Sequence, residues 1–354
     1  MRRIAIVVPG SIAQRSGGYE YDRRIGAGLR ARGWAVDVHE IAGAFPRPSA
    51  AALEAAAQTL AAIPDGSLVL VDGLAFGAMP AEVERERGRL NLVALVHLPL
   101  AAHLGISRPE ADRFEQGERR ALAAAHACIV TGAATVGALE AYGVRPEQIA
   151  VVEPGTDRAP LARGSRNPLH LVSVAAITPG KGHEILLRAL ARLSQRAWRL
   201  TCAGSLDRDP PTAARVRELV NAEQLGERVA LVGEIGSAEL SALYDSADVF
   251  VHASLHETYG MVVAEALARG VPVVGSATGA IPDLVGSDAG LLVPPGNVAA
   301  LEDALSSVLD DPDVRDRMTA GARRVRGRLP TWDDAVDGIL NVLARLENDG
   351  SFAR

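Results

Sequence analysis

The sequence predicts an α/β protein built from two Rossmann-like domains that face each other across a cleft. Its 354 residues are too many for one ordinary domain, since domains average ~150 residues. Short apolar stretches alternate with helical ones along the chain, which implies parallel sheets wound by right-handed crossovers. Hydrophobic residues make up 48% of the chain but aromatic residues only 4%, so the core consists mainly of small aliphatic side chains. Such a core suits helices packed on buried parallel strands.

The first half of the chain opens with an apolar, β-rich stretch at residues 3–8. A helical stretch follows at 19–32, and Gly33 comes where a C-terminal cap belongs. The same alternation continues through an Ala-rich helix at 49–62. The remaining predicted strands of this half lie at 35–41, 68–72, 91–96, 127–131 and 149–152.

The alternation stops at residues 154–168, PGTDRAPLARGSRNP, which carry no apolar period and predict a domain linker. We therefore expect a first domain at 1–160, a second at 161–332 and a C-terminal segment at 333–354. In the second domain, strands are expected at 169–174, 199–203, 229–231, 249–252, 273–275 and 290–293. Helices are expected at 182–193, 212–224, 237–246 and 259–268, with a largely helical stretch from 299 to 346.

Charge and composition narrow the possible partners and the compartment. A net charge of -6 disfavours nucleic acid. Cys128 and Cys202 lie in apolar stretches and are expected to be buried free thiols, which fits a cytoplasmic protein. No apolar run approaches the ~18 residues that a membrane-spanning helix needs. A basic stretch predicts a solvated helix face, with peripheral contact to anionic lipid as the alternative. It comprises Arg315, Arg317, Arg323, Arg324, Arg326 and Arg328.

The segment 249–285 holds the most informative pair of residues. Glu257 lies just before a predicted helix and Glu265 about two turns further on, so both can face the carboxyl ends of the strands. Ligands of open α/β sheets bind there. Glu265 can accept hydrogen bonds from ribose hydroxyls and Glu257 from sugar hydroxyls. The free amides at the helix start suit a diphosphate. The alternative is a helix cap and a solvated carboxylate.

The same segment resembles glycosyltransferase family 4. Glu257 and Glu265 match the E-x7-E motif of retaining glycosyltransferases with the GT-B fold. The family's EGFG, EALA, G-x-PV and GG-x-PE elements correspond here to ETYG at 257–260, EALA at 265–268, GVPV at 270–273 and GAIPD at 279–283. The resemblance extends over essentially the full chain, specific in the second half and looser in the first. It also implies that the final helix crosses back to the first domain.

Lys181 lies in TPGKGHEILL, between a predicted strand and a predicted helix, where a cation can meet a diphosphate. In the family, the lysine of a KG pair at this place binds the donor phosphates, and Lys181-Gly182 resembles that pair. The alternative is a solvated loop lysine. The family's partner arginine is replaced here by Ala175 or Ala176, and the positions of Arg15 and Arg208 make them candidate substitutes.

The first half contributes a glycine pair and a histidine. Gly17 and Gly18 lie in the loop after the first strand and allow close approach of a phosphate. A similar pair in the family touches the donor phosphate. His97 ends a predicted strand, and the family places a histidine there close to the donor sugar; the alternative is a hydrogen-bonded structural group. Glu118 resembles a family glutamate and is interpreted as structural.

The sequence therefore predicts a retaining, hexosyltransferase-like enzyme. Its donor is a nucleotide-diphosphate sugar, most simply of UDP or GDP, and its acceptor is an unidentified hydroxyl. No zinc spacing is visible, and the D-x-D pair of Asp207 and Asp209 falls in a loop before prolines without a third ligand, so no metal and no other cofactor is expected. The predicted catalytic residues are Lys181, Glu257 and His97. The predicted donor-binding residues are Gly17, Gly18, Lys181, Glu257, Tyr259, Gly260, Met261, Val262 and Glu265.

Three other functions remain as alternatives on the same sequence. A hydrolase or epimerase of nucleotide sugars would turn over donor without an acceptor. A non-catalytic nucleotide-sugar binder is suggested by Ala175 and Ala176, which leave one phosphate-binding cation unassigned. A dinucleotide oxidoreductase is opposed by the missing G-x-G-x-x-G and its acidic partner.

Overall fold

A computed structural model of the protein describes residues 2–165 and 167–348. The chain divides into two compact units. The first holds the residues up to Gly155 together with the C-terminal segment from Pro330, and the second is Thr156–Leu329. Residues 349–354 of the predicted C-terminal segment lie outside the described residues.

The strands within residues 2–165 and 167–348 form two six-stranded sheets, and their strand pairs are parallel. The first unit contains β1 (Arg3–Pro9), β2 (Ala35–Ile41), β3 (Leu68–Asp72), β4 (Asn91–Val96), β5 (Ala127–Val130) and β6 (Ile149–Val151). The second contains β7 (Leu169–Val174), β8 (Trp198–Ala203), β9 (Val229–Gly233), β10 (Val249–His252), β11 (Val273–Ser276) and β12 (Gly290–Val293). The predicted strands are confirmed, with ends that differ by a residue or two.

Helices connect the strands in each unit. In chain order they are α1 (Gly17–Ala31), α2 (Ala50–Ala61), α3 (Gly73–Phe76), α4 (Pro80–Glu86), α5 (Arg108–Leu122), α6 (Val136–Ala141), α7 (His183–Ala191), α8 (Pro210–Ala222), α9 (Ser237–Asp245), α10 (Met261–Ala268), α11 (Ile281–Val285), α12 (Val298–Asp310), α13 (Pro312–Val325) and α14 (Trp332–Asn348). The predicted helical stretch at 299–346 is three helices, because Asp311 caps α13 and a turn precedes α14.

The order of strands places a switch point in each sheet. The first sheet runs β2-β1-β3-β4-β5-β6, and the second runs β9-β8-β7-β10-β11-β12, which is the Rossmann order. In the first sheet, the connection after β1 therefore leads towards one edge of the sheet and the connection after β3 towards the other. In the second sheet, the connections after β7 and β10 diverge in the same way. The crevice outside the carboxyl ends of such strands is where ligands of open α/β sheets bind.

Each sheet is covered by helices on both faces. In the first unit, α14 packs against α1 through side chains that recur every three or four residues, as an amphipathic helix requires. They are Ala335, Val336, Ile339, Val342, Leu343 and Leu346. In the second unit, Trp198 and Phe250 are among the largest fully buried side chains. Fully burying side chains of this kind contributes about 1.5–3 kcal/mol each.

The structure bears on two expectations, one for the cysteines and one for the basic stretch at 315–328. Cys128 and Cys202 are buried free thiols, as predicted. The basic stretch is a solvated helix face only in part, because three of its arginines bind within the second unit. Arg315 donates to the Val308 carbonyl, Arg326 to the Ala268 carbonyl, and Arg324 pairs with Asp288. Among the helices described, none is both long and apolar enough to cross a membrane.

Candidate functional site

Two loops of the second unit meet at the switch point of its sheet. One follows β7 and the other follows β10, and the Leu255 amide of the second donates to the Gly180 carbonyl of the first at 2.8 Å. Gly182 makes the approach possible. Its φ is +68°, and a Cβ there would lie 2.0 Å from the Ala253 carbonyl oxygen. Only glycine combines that conformation with so close a backbone contact.

Lys181 and Glu257, one on each loop, form the centre of this site. Lys181 Nζ lies 2.8 Å from Glu257 Oε2, and His252 Nε2 lies 3.4 Å from the same oxygen. The Lys181 side chain is 32% exposed and that of Glu257 15%. Burial would raise the pKa of Glu257, but the charge of Lys181 and the adjacent His252 imidazole outweigh it and hold that pKa well below its usual range. Glu257 is therefore a carboxylate at neutral pH.

A third loop fixes the backbone of Glu257. The Ala280 amide donates to the Thr258 carbonyl at 3.0 Å, and a Cβ at Gly279 would lie 1.9 Å from the Glu257 carbonyl oxygen. Gly279 has a φ of +56°, so the close contact and the left-handed conformation both require glycine. The GAIPD segment of the sequence thus supports the loop that carries Glu257.

The start of α10 adds backbone donors beside the same loop. The Gly260 carbonyl accepts the amides of Val263 and Ala264 at 2.9 and 3.1 Å. The preceding amides, those of Met261 and Val262, are first-turn amides that have no carbonyl to bind within an α-helix. Such amides, aligned with the helix dipole, favour an anion. The predicted role of Gly260, Met261 and Val262 in holding a diphosphate is compatible with this geometry and stays a prediction.

Glu265 lies in the second turn of α10 and is half-buried. Its Oε2 accepts a hydrogen bond of 2.8 Å from the Tyr244 hydroxyl, and Tyr244 packs beneath the guanidinium of Arg269 at 4.7 Å. Burial and the charge of Glu265 raise the pKa of Tyr244, so its hydroxyl stays protonated and donates. The carboxylate is therefore held in a fixed orientation.

The side chain of Tyr259 is buried in the second unit. Its side chain is 2% exposed and belongs to the apolar cluster that contains Phe250, Val263 and Ile281. The side chain thus anchors the loop to the core of the second unit. A contact between Tyr259 and a donor stays a prediction, and in this arrangement the backbone is the part of the residue best placed to make one.

Three polar residues near Lys181 and Glu257 were not found from the sequence. His183, His252 and Ser254 are buried, and each has a side-chain nitrogen or oxygen without a hydrogen-bond partner among the residues that the structure describes. Burial, together with the charges of Lys181 and His252, lowers the pKa of His183 to about 4. The signal was present in the sequence. His252 ends an otherwise apolar strand, Ser254 lies two residues beyond it, and His183 follows Lys181-Gly182 directly.

Ala175 and Ala176 stand at the end of β7, beside the loop that follows β8. The Ala175 amide donates to the Ala203 carbonyl and the Ile177 amide to the Ser205 carbonyl, each at 2.9 Å. Arg208 lies three residues beyond Ser205 on that neighbouring loop. Arg208 is thus the candidate replacement cation in the second unit, whereas Arg15 belongs to the first.

The first unit brings together a second group of polar residues at its own switch point. His97 follows β4, Asp72 ends β3 and Asp22 lies on α1. His97 Nε2 is 3.5 Å from Asp22 Oδ1 and 3.7 Å from Asp72 Oδ2. Gly18 lies against the ring, because a Cβ there would be 3.1 Å from His97 Cδ2. One imidazole nitrogen of His97 and one carboxylate oxygen each of Asp22 and Asp72 all lie within 4.8 Å of one another.

Two of the predicted residues of the first unit, Gly18 and His97, are in contact, and Gly17 lies next to Gly18. Gly17 begins α1 after the Ser16 side chain, which accepts the Tyr19 amide at 3.5 Å, and Gly18 is the next residue. Asp22 and Asp72 were missed by sequence reasoning. Asp22 lies one helical turn after Gly18 and therefore on the same face of its helix, and Asp72 ends the apolar strand LVLVD. Both side chains can therefore lie at the carboxyl ends of the strands.

Glu118 is buried, as a structural role requires. Its Oε2 accepts the Leu100 amide at 2.9 Å and so fixes the segment that follows His97. Burial raises the pKa of Glu118 to about 8, against the hydrogen bond from Leu100. The side chain is accordingly protonated in a large part of the molecules at neutral pH.

The second unit matches a known protein family. Residues 161–325 match the model of the family described as glycosyl transferases group 1, and they include Lys181, Glu257 and Glu265. The chain is 32% identical over 258 residues to the D-inositol 3-phosphate glycosyltransferase of Xylanimonas cellulosilytica, covering 67% of this chain and 61% of that one. It is 31% identical over 263 residues to the MMP alpha-(1->4)-mannosyltransferase of Mycolicibacterium hassiacum, covering 69% and 63%. The chain thus spans less than two thirds of the length of these curated relatives.

Solved structures with the same fold match nearly the whole chain. Sucrose-phosphate synthase from Thermosynechococcus elongatus superposes with a TM-score of 0.83 at 22% identity, over 99% of this chain and 100% of that one. The Anabaena protein Alr3699/HepE, solved in complex with UDP-glucose, superposes with a TM-score of 0.78 at 18% identity, over 97% and 100%. The two Rossmann-like domains predicted from the sequence are confirmed, and the fold is GT-B.

Proposed function

We propose that this protein is a retaining glycosyltransferase of family 4, which moves a sugar from a nucleotide-diphosphate donor to an acceptor hydroxyl. One observation carries the proposal: Lys181 Nζ and Glu257 Oε2 lie 2.8 Å apart at the switch point of the second sheet. A cation, a carboxylate and the first amides of α10 are the groups that a diphosphate joined to a sugar requires.

The residues of the second unit divide the donor among them in this proposal. Lys181 and the amides of Gly260, Met261 and Val262 meet the diphosphate. Glu257 accepts hydrogen bonds from sugar hydroxyls, and Glu265 accepts them from the ribose. The diphosphate gains charge as the glycosidic bond breaks, so Lys181 stabilises the transition state more than the ground state.

The comparisons support the reaction class at a coarser level. The family described as glycosyl transferases group 1 covers the residues that form this site. Both curated relatives are named as glycosyl-transferring enzymes. The Anabaena protein of the same fold was solved with UDP-glucose. We propose a UDP or GDP sugar as the donor on these grounds.

The first unit supplies further residues in this proposal. Gly17 and Gly18 offer the first amides of α1, a helix of 15 residues, to a phosphate oxygen. His97, whose side chain is 21% exposed, offers its ring to a substrate oxygen. Lys181 and the helix amides supply the positive charge that the leaving group needs, so we propose that transfer requires no divalent metal. The buried free thiols accord with a cytoplasmic enzyme.

The testing experiment is a donor screen with the purified protein. UDP, GDP, ADP and dTDP sugars are first tested for binding by calorimetry, and the binders are then incubated with acceptors that include D-inositol 3-phosphate, which the name of one relative suggests. Mass spectrometry should find a glycosylated product, and NMR should find the donor's anomeric configuration retained in it. Donor cleavage that ignores the acceptor would instead indicate a hydrolase, and binding without turnover a sugar-nucleotide binder.

A further inference from the structure

Two buried carboxyl groups, those of Asp22 and Asp72, lie beside His97 in the first unit. Asp22 is 1% exposed and Asp72 3%. Neither oxygen of Asp22 has a hydrogen-bond partner among the residues that the structure describes, whereas Asp72 Oδ1 accepts the Leu74 amide at 2.8 Å. A buried carboxylate costs several kcal/mol unless it is paired or neutralised, so the cluster must hold positive charge or protons.

His97 is the group placed to supply this charge. Within the described part of the chain, the ion pairs of Asp22 and of Asp72 are both with His97, at 3.5 and 3.7 Å. Tyr21 also packs on the imidazole from α1, and its ring meets the imidazole edge to face with centroids 5.4 Å apart. The Tyr21 hydroxyl donates to the Val152 carbonyl at 3.0 Å and so is directed away from the carboxylates.

The protonation of the cluster follows from these contacts. Burial would lower the pKa of His97, but the nearby carboxylate of Asp22 and the charge of Asp72 outweigh it and raise that pKa. Burial and the charge of Asp22 raise the pKa of Asp72 to about 7, against the opposing charge of His97. The buried charge is balanced when His97 is protonated and Asp72 exchanges its proton near neutral pH.

The ring is also fixed in position. Nε2 is directed at the carboxylates, Gly18 lies against Cδ2, and Tyr21 lies against the ring. The side chain is nevertheless 21% exposed, so part of the imidazole is open to a ligand. A protonated imidazole with one nitrogen turned to a carboxylate donates from the other, which is the arrangement that orients a functional histidine.

We propose that Asp22 and Asp72 are positioning residues for His97: the two buried carboxylates keep the imidazole charged and hold its ring, so that its exposed part presents a charged N–H donor to an oxygen of the bound substrate. The identity of that substrate, a sugar or phosphate oxygen of a glycosyl donor or acceptor, rests on the proposed function. The charged state of His97 does not.

The test measures the protonation of His97 directly. NMR titration of protein labelled at its histidine side chains, with the His97 signals assigned from His97→Gln, gives its midpoint in the wild type, in Asp22→Asn and in Asp72→Asn. The midpoint should lie above the usual value in the wild type and fall by about one pH unit or more in Asp22→Asn, since a nearby opposite charge shifts a pKa by ~1–3 units. Asp37→Asn, which changes an exposed carboxylate paired with Arg3, is the matched control and should leave the midpoint unchanged.

Turnover gives the second readout. Activity should decline as pH rises through the His97 midpoint, and in Asp22→Asn this decline should move to lower pH by the same amount; Asp22→Glu should restore part of the shift. A wild-type His97 midpoint at or below the usual value, or one that neither variant moves, overturns the proposal. If Asp22→Asn does not fold, as judged by circular dichroism, Asp72→Asn decides. If the midpoint is shifted as expected but the protein transfers no sugar, the charged state of His97 is supported and the proposed function is contradicted.

A bound metal ion is the competing explanation for the buried carboxylates. Calorimetric titration of the metal-free wild type with Zn²⁺ and with Mn²⁺ should show no stoichiometric binding. Binding of one ion per chain that Asp22→Asn abolishes and Asp37→Asn does not would overturn the proposal, because the ion rather than a charged imidazole would then balance the cluster.

Discussion

Lys181 and Glu257 are 76 residues apart in sequence, yet Lys181 Nζ lies 2.8 Å from Glu257 Oε2. The two residues follow β7 and β10, which are neighbours only because the order of the second sheet changes direction between them. Each charge compensates the other, so both side chains remain charged and ordered in the folded protein. A bound diphosphate would compete with Glu257 for Lys181 and release the carboxylate to the sugar hydroxyls.

Lys181→Ala is expected to reduce turnover on the order of 100- to 1000-fold, because a group that stabilises developing charge acts mainly in the transition state. Single-turnover kinetics with saturating donor measure the effect. Arg15→Ala and Arg208→Ala are the comparisons, since either arginine can replace the cation that is missing at Ala175 and Ala176. If an arginine variant loses turnover while Lys181→Ala keeps it, the catalytic role belongs to that arginine.

Stability must be separated from catalysis in that experiment. Lys181→Ala leaves the Glu257 carboxylate unpaired in a site where it is 15% exposed, so the variant should also melt at a lower temperature. The double variant with Glu257→Gln should recover the melting temperature and not the turnover. Recovery of both would show that Lys181 serves folding alone.

Glu265→Gln should weaken binding of the donor nucleotide by about 1.5–3 kcal/mol, the usual contribution of hydrogen bonds to a charged group. Tyr244→Phe removes the hydroxyl that donates to Glu265 Oε2 at 2.8 Å and should weaken binding less, because the carboxylate remains while its orientation is loosened. Isothermal calorimetry with the free nucleoside diphosphate measures both. Equal affinity for wild type and Glu265→Gln would exclude a ribose contact.

Gly182→Ala should destabilise the protein more than Gly33→Ala, which changes the left-handed glycine after α1. The two glycines have φ angles of +68° and +82°, but a Cβ at 182 would lie 2.0 Å from the Ala253 carbonyl oxygen whereas one at 33 meets open space. The conformation alone costs about 1–2 kcal/mol in either variant. The overlap adds about 1–3 kcal/mol at 182. Urea denaturation gives the difference, and equal losses would mean that the two loops are not in the contact described.

Glu118→Gln should stabilise the protein increasingly as pH rises. The pKa of Glu118 is raised from 4.5 to about 8 in the folded state, so that state binds more protons than the unfolded one between these values. The wild type therefore loses stability as pH rises through this window, by about 1–3 kcal/mol after allowance for relaxation. Melting curves at pH 5 and pH 8.5 measure the gap, which should widen at the higher pH. Glu115→Gln on the same helix, with a side chain 41% exposed, should show no such trend.

Activity should survive EDTA, because Lys181 and the first amides of α10 supply the positive charge that a metal-dependent enzyme takes from its ion. Initial rates before and after dialysis against the chelator measure this. Complete loss of activity that Mg²⁺ or Mn²⁺ restores would contradict a metal-independent reaction and would direct attention to other carboxylates.

The sequence by itself determined the elements and part of the site. Whether a stretch is a strand or a helix depends on which of its own side chains are buried, and that period can be read along the chain. The spacing of Glu257 and Glu265 is also local, because both belong to one loop and the helix that follows it. Their place at the end of a buried strand could therefore be predicted from the sequence, as could that of His97.

Only the tertiary structure decided which of these residues touch. The two sheets have different strand orders, and no local pattern distinguishes them, because order depends on which strands pair across long stretches of chain. Pairing places Lys181 beside Glu257, and it places Asp22 and Asp72 around His97. It also turns Tyr259 into the core. Burial and charged neighbours then set the pKa of each carboxyl group in the folded chain. The pKa of Glu257 is lowered beside Lys181, whereas that of Asp72 is raised to about 7 by burial and the charge of Asp22.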